Sequence, residues 1–216
     1  MNHKAKVLLL VGGAIYHDQP EHREILARML GSRFDLTMAG YPTRVLTPEN
    51  LSQYDVIADY TSWWEPTREE YLALLQAVIG GKGFACLHPA TGTFMNSSGY
   101  HDMVGGSFVY HDPNKLFKVQ FGERKHNRTG ELLREDHPIT EELAGFEIQD
   151  ELFVVRGDET SSHVLALAEG HPVVWTRKYG KGRVFNIVLG HDHQALNNPS
   201  LQTLYIRGIE WAAGLL

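Results

Sequence analysis

Short apolar runs alternate with helical patterns through the first part of the chain, and that alternation leaves few folds open. Residues 6–11 are the right length for a buried strand, and Gly12-Gly13 closes it. Residues 20–30 place Ile25, Leu26, Met29 and Leu30 on one helical face, with Gly31 as the stop. Residues 34–39 predict a second strand, followed by a loop around Gly40-Tyr41-Pro42, and residues 55–60 a third. Thr67 with Glu70 three positions on is a capping-box pattern. The helix it starts has Tyr71, Leu74, Leu75 and Val78 on its apolar face and ends at Gly80-Gly81; the strand 84–87 follows at once. Strands interleaved with helices pair in parallel through right-handed crossovers.

The second half reads differently. Residues 115–121, 149–155, 164–168, 173–177 and 184–189 predict strands with no helix between them. Glu169-Gly170-His171-Pro172 and Tyr179-Gly180-Lys181-Gly182 have hairpin-turn chemistry. An antiparallel extension of a parallel core accounts for both halves, and residues 199–211 close the chain as an amphipathic helix. No linker, repeat or low-complexity stretch divides the sequence, so a single domain over residues 1–216 is expected.

Composition narrows the function classes. A net charge of −6 and the lack of a basic run with interleaved aromatics argue against nucleic acid as a partner. One cysteine excludes an intrachain disulfide framework and any cysteine-based zinc motif. The N-terminal apolar run is too short for a secretory or membrane-spanning segment, so a cytoplasmic location without membrane association is expected.

In open α/β sheets ligands sit outside the carboxyl ends of the strands, so the residues placed there matter most. The strand 84–87 delivers His88-Pro89-Ala90-Thr91-Gly92, and the strand 184–189 delivers Gly190-His191-Asp192-His193. Amidotransferases of the three-layer α/β type carry a cysteine nucleophile on a strained elbow flanked by small residues. Cys86 has bulky flanks, Phe84 and His88, whereas His88 has small ones, Cys86 and Ala90. The elbow therefore presents His88, and Cys86 points into the sheet; Cys86 as a thiol nucleophile is the alternative. His88 and His191, with Glu151 from Asp150-Glu151, form the expected catalytic set, since imidazole and carboxylate transfer protons near neutrality.

Other strand-end residues are candidates for substrate binding: His17 after Gly12-Gly13, Trp63 and Trp64 after the third strand, His111 after residues 107–110, and Asp192. Tryptophan suits the C–H faces of sugars. His17, His88, His191 and Glu151 are also possible ligands of a divalent metal, although no His-x-x-x-His pair marks a shell. Gly12-Gly13 falls short of a Gly-x-Gly-x-x-Gly fingerprint, so no nucleotide is expected.

Taken in order, these pieces resemble the ThuA-like (trehalose utilization) family. The matching stretches are Gly81-Lys82-Gly83-Phe84 through His88, Met103-Val104-Gly105-Gly106-Ser107-Phe108 with His111, and Asp136-His137-Pro138-Ile139-Thr140, the last read as a turn and helix start. Asp150-Glu151-Leu152, Pro172-Val173-Val174-Trp175, Tyr179-Gly180-Lys181-Gly182-Arg183-Val184, Leu189-Gly190-His191 and Trp211-Ala212 complete them. The resemblance implies a flavodoxin-like, class I glutamine amidotransferase-like three-layer sandwich without the elbow cysteine. It further implies a role in carbohydrate catabolism beside sugar oxidoreductases that make 3-keto-glycosides. The expected function is acid/base chemistry, with or without a metal, on an oxidised sugar. The rival is a sugar-binding partner of such an oxidoreductase, without chemistry of its own; either reading leaves a sugar or keto-sugar ligand, an oxidoreductase partner and a homo-oligomer open.

Overall fold

The computed structural model describes residues 4–40, 44–124, 132–133, 136–157 and 161–216. The first half runs β1 (Lys6–Gly12), α1 (Pro20–Gly31), β2 (Asp35–Gly40), α2 (Pro48–Leu51), β3 (Val56–Thr61), α3 (Arg68–Ile79) and β4 (Gly83–Leu87). A 3-10 turn, His88–Gly92, leads into α4 (Ser98–Val104) and β5 (Gly106–His111). The strands β6 (Lys115–Phe121), β7 (Glu123–Arg124), β8 (Leu132–Leu133), β9 (Phe146–Asp150), β10 (Phe153–Gly157), β11 (His163–Ala168), β12 (His171–Tyr179) and β13 (Gly182–Ile187) follow. Helices α5 (His193–Leu196) and α6 (Pro199–Ala213) end the chain.

Nine strands form one sheet in the order β2-β1-β3-β4-β13-β12-β11-β6-β9. Pairing is parallel from β2 through β13 and antiparallel from β13 to β9. The two halves of the sequence thus meet at β4–β13, with Cys86 opposite Asn186 and Leu87 opposite Ile187. That pairing is what brings the strand ends before His88 and His191 side by side.

Helices cover both faces of the parallel strands. Along β1, Val7, Leu9 and Val11 join Ile25, Leu26 and Met29 of α1 and Leu201, Leu204 and Ile209 of α6. Leu8 and Leu10 face the other way and join Leu74 and Val78 of α3 and Tyr100 and Met103 of α4. Side chains alternate across a strand, so a run buried on both sides must be apolar throughout, as β1 is. Each such Leu or Val contributes about 1.5–3 kcal/mol on burial. The capping box of α3 forms as expected, Thr67 N–H donating to Glu70 at 2.9 Å and Glu70 N–H to Thr67 Oγ1 at 3.3 Å. No helix among the described residues is long and apolar enough to cross a membrane.

Three expectations need correction. The stretch 149–155 is two strands: β9 ends at Asp150 in the large sheet, and β10 starts at Phe153 in a separate ribbon with β5. The break arises because the buried Asp150 carboxylate binds backbone N–H groups of the following turn and of residues 190–191, diverting the chain. β13 stops at Ile187, and the freed Val188 carbonyl is taken by a side chain. Residues 136–140 make a turn closed by Thr140 N–H on the His137 carbonyl at 2.9 Å, with no helix after it.

Candidate metal centre

His88 follows β4 with φ of +36°, a conformation that non-glycine residues rarely adopt. Strained backbone of this kind costs of order 1–3 kcal/mol and clusters where a side chain must be aimed. The small neighbours Cys86 and Ala90 are both fully buried and let the turn sit tightly. His88 is itself fully buried, and its Nδ1 lies 3.0 Å from the Val188 carbonyl. A carbonyl only accepts, so Nδ1 carries the proton and Nε2 keeps its lone pair.

That lone pair meets His17. Nε2 of His88 and Nε2 of His17 are 3.2 Å apart, and the same His17 nitrogen is 3.2 Å from Nδ1 of His191. His17 arrives from the β1–α1 loop, which crosses Ser62 so closely that a Cβ on Gly13 would lie 1.8 Å from the Ser62 carbonyl oxygen. Gly13, with φ of +99°, therefore serves close approach. Ser62 Oγ accepts from Ala14 N–H at 3.0 Å and sits 3.1 Å from Nδ1 of His17, fixing the ring.

The fourth member is Glu151, whose Oε2 is 3.0 Å from Nδ1 of His191. Ligand atoms from His17, His88, Glu151 and His191 all lie within 4.8 Å of one another. The contacts of 3.0–3.2 Å match the edges of a coordination shell: metal–ligand bonds of about 2.0–2.1 Å give edges of roughly 3.0–3.4 Å. Three imidazoles and one carboxylate suit a divalent first-row metal such as zinc, iron or manganese.

Electrostatics favour the same occupant. Burial pushes His17 down to about 3, helped by the neighbouring His191, and pushes His88 well below the usual imidazole range. Both rings are neutral at pH 7, as ligation requires. Burial alone would lower His191 too, but the Glu151 carboxylate outweighs it and holds that imidazole above its ordinary value.

Asp150 organises the centre without joining it. One oxygen accepts from Glu151 N–H at 2.9 Å and His191 N–H at 3.0 Å, the other from Gly190 N–H at 2.7 Å. Burial pushes its carboxyl up to about 7 against the pull of those three donors. Tyr60 and Tyr205 hydroxyls donate to the Gly190 and Leu189 carbonyls at 2.7 and 2.8 Å, holding the same segment from below.

A cleft of about 400 Å³ opens above the quartet, walled by Tyr16, Trp63, Phe108, His111 and Phe153. Trp63 is 54% exposed, and its indole N–H donates to the Tyr16 hydroxyl at 2.8 Å. His111 stacks on Phe153 with ring centroids 5.3 Å apart and places Nδ1 3.5 Å from Glu151 Oε1.

Not every expected residue belongs here. Trp64 is buried, packs edge-on against Phe94 and does not line the cleft, so it serves the core. Asp192 does not line the cleft; it caps α5 through Ala195 N–H at 2.9 Å and takes Asn114 Nδ2 at 3.1 Å. Cys86 is fully buried with its thiol pushed well up by desolvation and then by Asp59, which rules out a ready thiolate nucleophile. His17, expected as a substrate contact or a metal ligand, does belong: it lines the cleft and faces the other imidazoles. Sequence reasoning did not single out Ser62, Phe108 or Phe153, or the bracing role of Asp150; a buried acid beside a candidate ligand was the only available signal, and its partners are distant in sequence.

An open α/β protein with a histidine–carboxylate centre at the carboxyl ends of its parallel strands is the class that fold and site define. The chain belongs to the ThuA family, described by trehalose utilisation, whose model matches residues 6–212. That membership gives it a place in sugar utilisation. Among curated proteins none matches it. A structure from Parabacteroides merdae described as a ThuA-like protein is 20% identical, with a TM-score of 0.81 over 97% of this chain and 90% of that one. One from Bacteroides uniformis, described in the same words, is 18% identical, with a TM-score of 0.72 over 98% and 93%. A cytoplasmic protein of Salmonella typhimurium is 14% identical, with a TM-score of 0.69 over 96% and 99%. At these identities the likeness speaks to the fold alone.

Proposed function

We propose that the chain is a metal-dependent enzyme of sugar catabolism, acting on a carbohydrate that carries a ring ketone, as a 3-keto-glycoside does. The observation that carries this reading is the convergence of His17, His191 and Glu151 at the floor of an aromatic-walled cleft with His88 buried directly beneath them. A divalent ion held by these four residues would supply Lewis acidity toward a ketone oxygen.

The remaining residues fit an elimination. A ketone at C3 acidifies the C2 proton; a base removes it, the C1–O bond breaks, and the departing oxygen takes up a proton. His111 is the base this reading assigns. Its Nδ1 is 3.0 Å from the Asp112 carbonyl and so carries the hydrogen, leaving the lone pair on Nε2 of a ring that lines the cleft. Positioned proton transfer is worth typically ~10²–10⁴ in rate. His88 has no exposed surface and is assigned to ligation, not proton abstraction. Trp63 and Tyr16 offer apolar faces with polar handles, as sugar rings require. The family's description supports a sugar as substrate. The amidotransferase-like ancestry of the elbow, with His88 in place of cysteine, belongs to the same reading.

Metal-loaded protein incubated with a 3-keto-disaccharide and with its unoxidised parent tests it. The expected result is release of the aglycone sugar and an enone absorbance from the keto substrate only. Loaded protein that leaves the keto-disaccharide intact refutes the proposal.

A further inference from the structure

The β5–β10 ribbon has chemistry at both ends. His111 and Phe153 pair at the cleft end, and Gly106 and Gly157 at the other. Beyond the glycine end lies a separate concavity of about 380 Å³, lined by His101, Asp102, Arg156, Arg177 and glycines 105, 106 and 157. Five residue steps along β5, from Gly106 to His111, separate the two ends, about 16 Å at roughly 3.3 Å per step.

Among the described residues neither the Arg156 nor the Arg177 guanidinium has a hydrogen-bond or ion-pair partner, and Nε of Arg177 is buried unpaired. A buried donor of this kind is destabilising unless something accepts from it. The placement is built in. Gly105 has φ of +80°, and a Cβ there would lie 2.3 Å from Nη1 of Arg177 and 2.9 Å from Ser162 Oγ, itself buried without a partner. Only glycine lets the guanidinium lie against the α4–β5 turn. Nδ1 of His101 contacts the Gly106 carbonyl at 3.4 Å, while its buried Nε2 is also unpaired. Among the described residues Asp102 is the one carboxylate in the lining.

From these unpaired guanidiniums in one concavity we infer a second binding site, for a small phosphorylated metabolite anchored through its phosphate. Guanidinium forks match phosphate oxygens bidentately, and two cations suit a dianion better than a monovalent carboxylate. The volume exceeds a bare phosphate and falls in the range of about 300–1,000 Å³ typical of small-molecule sites, which leaves room for the organic part. The inference stands apart from the metal centre and survives its failure.

Calorimetric titration at low ionic strength with inorganic phosphate, glucose 6-phosphate and acetate tests it. Glucose 6-phosphate is expected to bind one per chain, more tightly than phosphate and at least about tenfold more tightly than acetate. Arg177→Gln and Arg156→Ala should each weaken it about tenfold or more, the worth of a charge-assisted hydrogen bond. Glu151→Gln should leave it unchanged. Equal affinity for phosphate and glucose 6-phosphate makes the free ion the ligand and overturns the metabolite. Acetate binding as tightly, loss of binding in Glu151→Gln, no saturation by either phosphate, or unchanged affinity in both arginine variants overturns the site. Arg156 is exposed, so Arg156→Ala decides the matter if Arg177→Gln fails to fold.

Discussion

The two ends of the parallel strands present cavities of opposite character. At the amino ends a depression of about 580 Å³, lined by Pro48, Leu51, Ala73, Ala77, Lys82 and Ala212 among others, is the larger. Its one ammonium, Lys82, is spent on the Ser52 carbonyl at 2.9 Å and the Tyr54 carbonyl at 2.5 Å. At the carboxyl ends the cleft is smaller, about 400 Å³, yet ring nitrogens of His17 and His191 on its floor and of His88 beneath it face one another. Size does not locate chemistry; unspent directional groups do. His137 makes the same point within one residue type. Burial pushes it down to about 4, as it depresses His17, but Nδ1 of His137 accepts Ile139 N–H at 3.2 Å, a structural use of the lone pair.

The largest expected contrast is between one substitution at each end. His88→Ala removes a ligand and should abolish metal retention and turnover together, a loss beyond the ~10–100-fold that an outer partner costs. Lys82→Ala should change turnover by less than about twofold and stability by about 0.5 kcal/mol or less. Turnover kept in His88→Ala and lost in Lys82→Ala would invert the comparison.

Asp150→Asn sharpens it at the next level. The amide puts donors where two oxygens now accept three N–H groups, so Glu151 and His191 should lose register and metal affinity should fall about 10–100-fold. Chelator competition on folded protein reads this; an unchanged dissociation constant would reduce Asp150 to filler.

How much of this was legible in the residues depends on whether the cause was local. The elbow at His88 was visible because small flanks and a Pro-Ala-Thr-Gly turn are local, and the antiparallel extension because its hairpin turns are local too. Trp64 and Trp63 looked equivalent; only the positive φ of Trp63 and the Phe94 pocket under Trp64 separate them. The split between β9 and β10 depended on Asp150 reaching residues 40 positions away. No periodicity within 149–155 encodes that. His17 joined the quartet through β1 lying between β2 and β3, a consequence of strand order.

Proton competition gives a smaller effect. His191 is held above 6.5 by Glu151, and a metal must displace that proton. Metal affinity should therefore be complete well above the raised value and fall by about tenfold per pH unit below it. An affinity flat from pH 8 to 5 would exclude His191 as a ligand. Smallest is Trp63→Ala, expected to raise KM about 3–10-fold with kcat nearly unchanged, in line with about 0.5–1.5 kcal/mol of aromatic contact. A fall in kcat alone would assign Trp63 to chemistry and not to sugar contact.

Anomalous diffraction from crystals soaked in a zinc or manganese salt tests the metal centre most directly. The account predicts one strong peak per chain, about 2.0–2.3 Å from Nε2 of His17, Nε2 of His88, Nδ1 of His191 and a Glu151 carboxylate oxygen. A peak elsewhere, or none at saturating salt with the 3.2 Å contact between His17 Nε2 and His88 Nε2 kept, would contradict it.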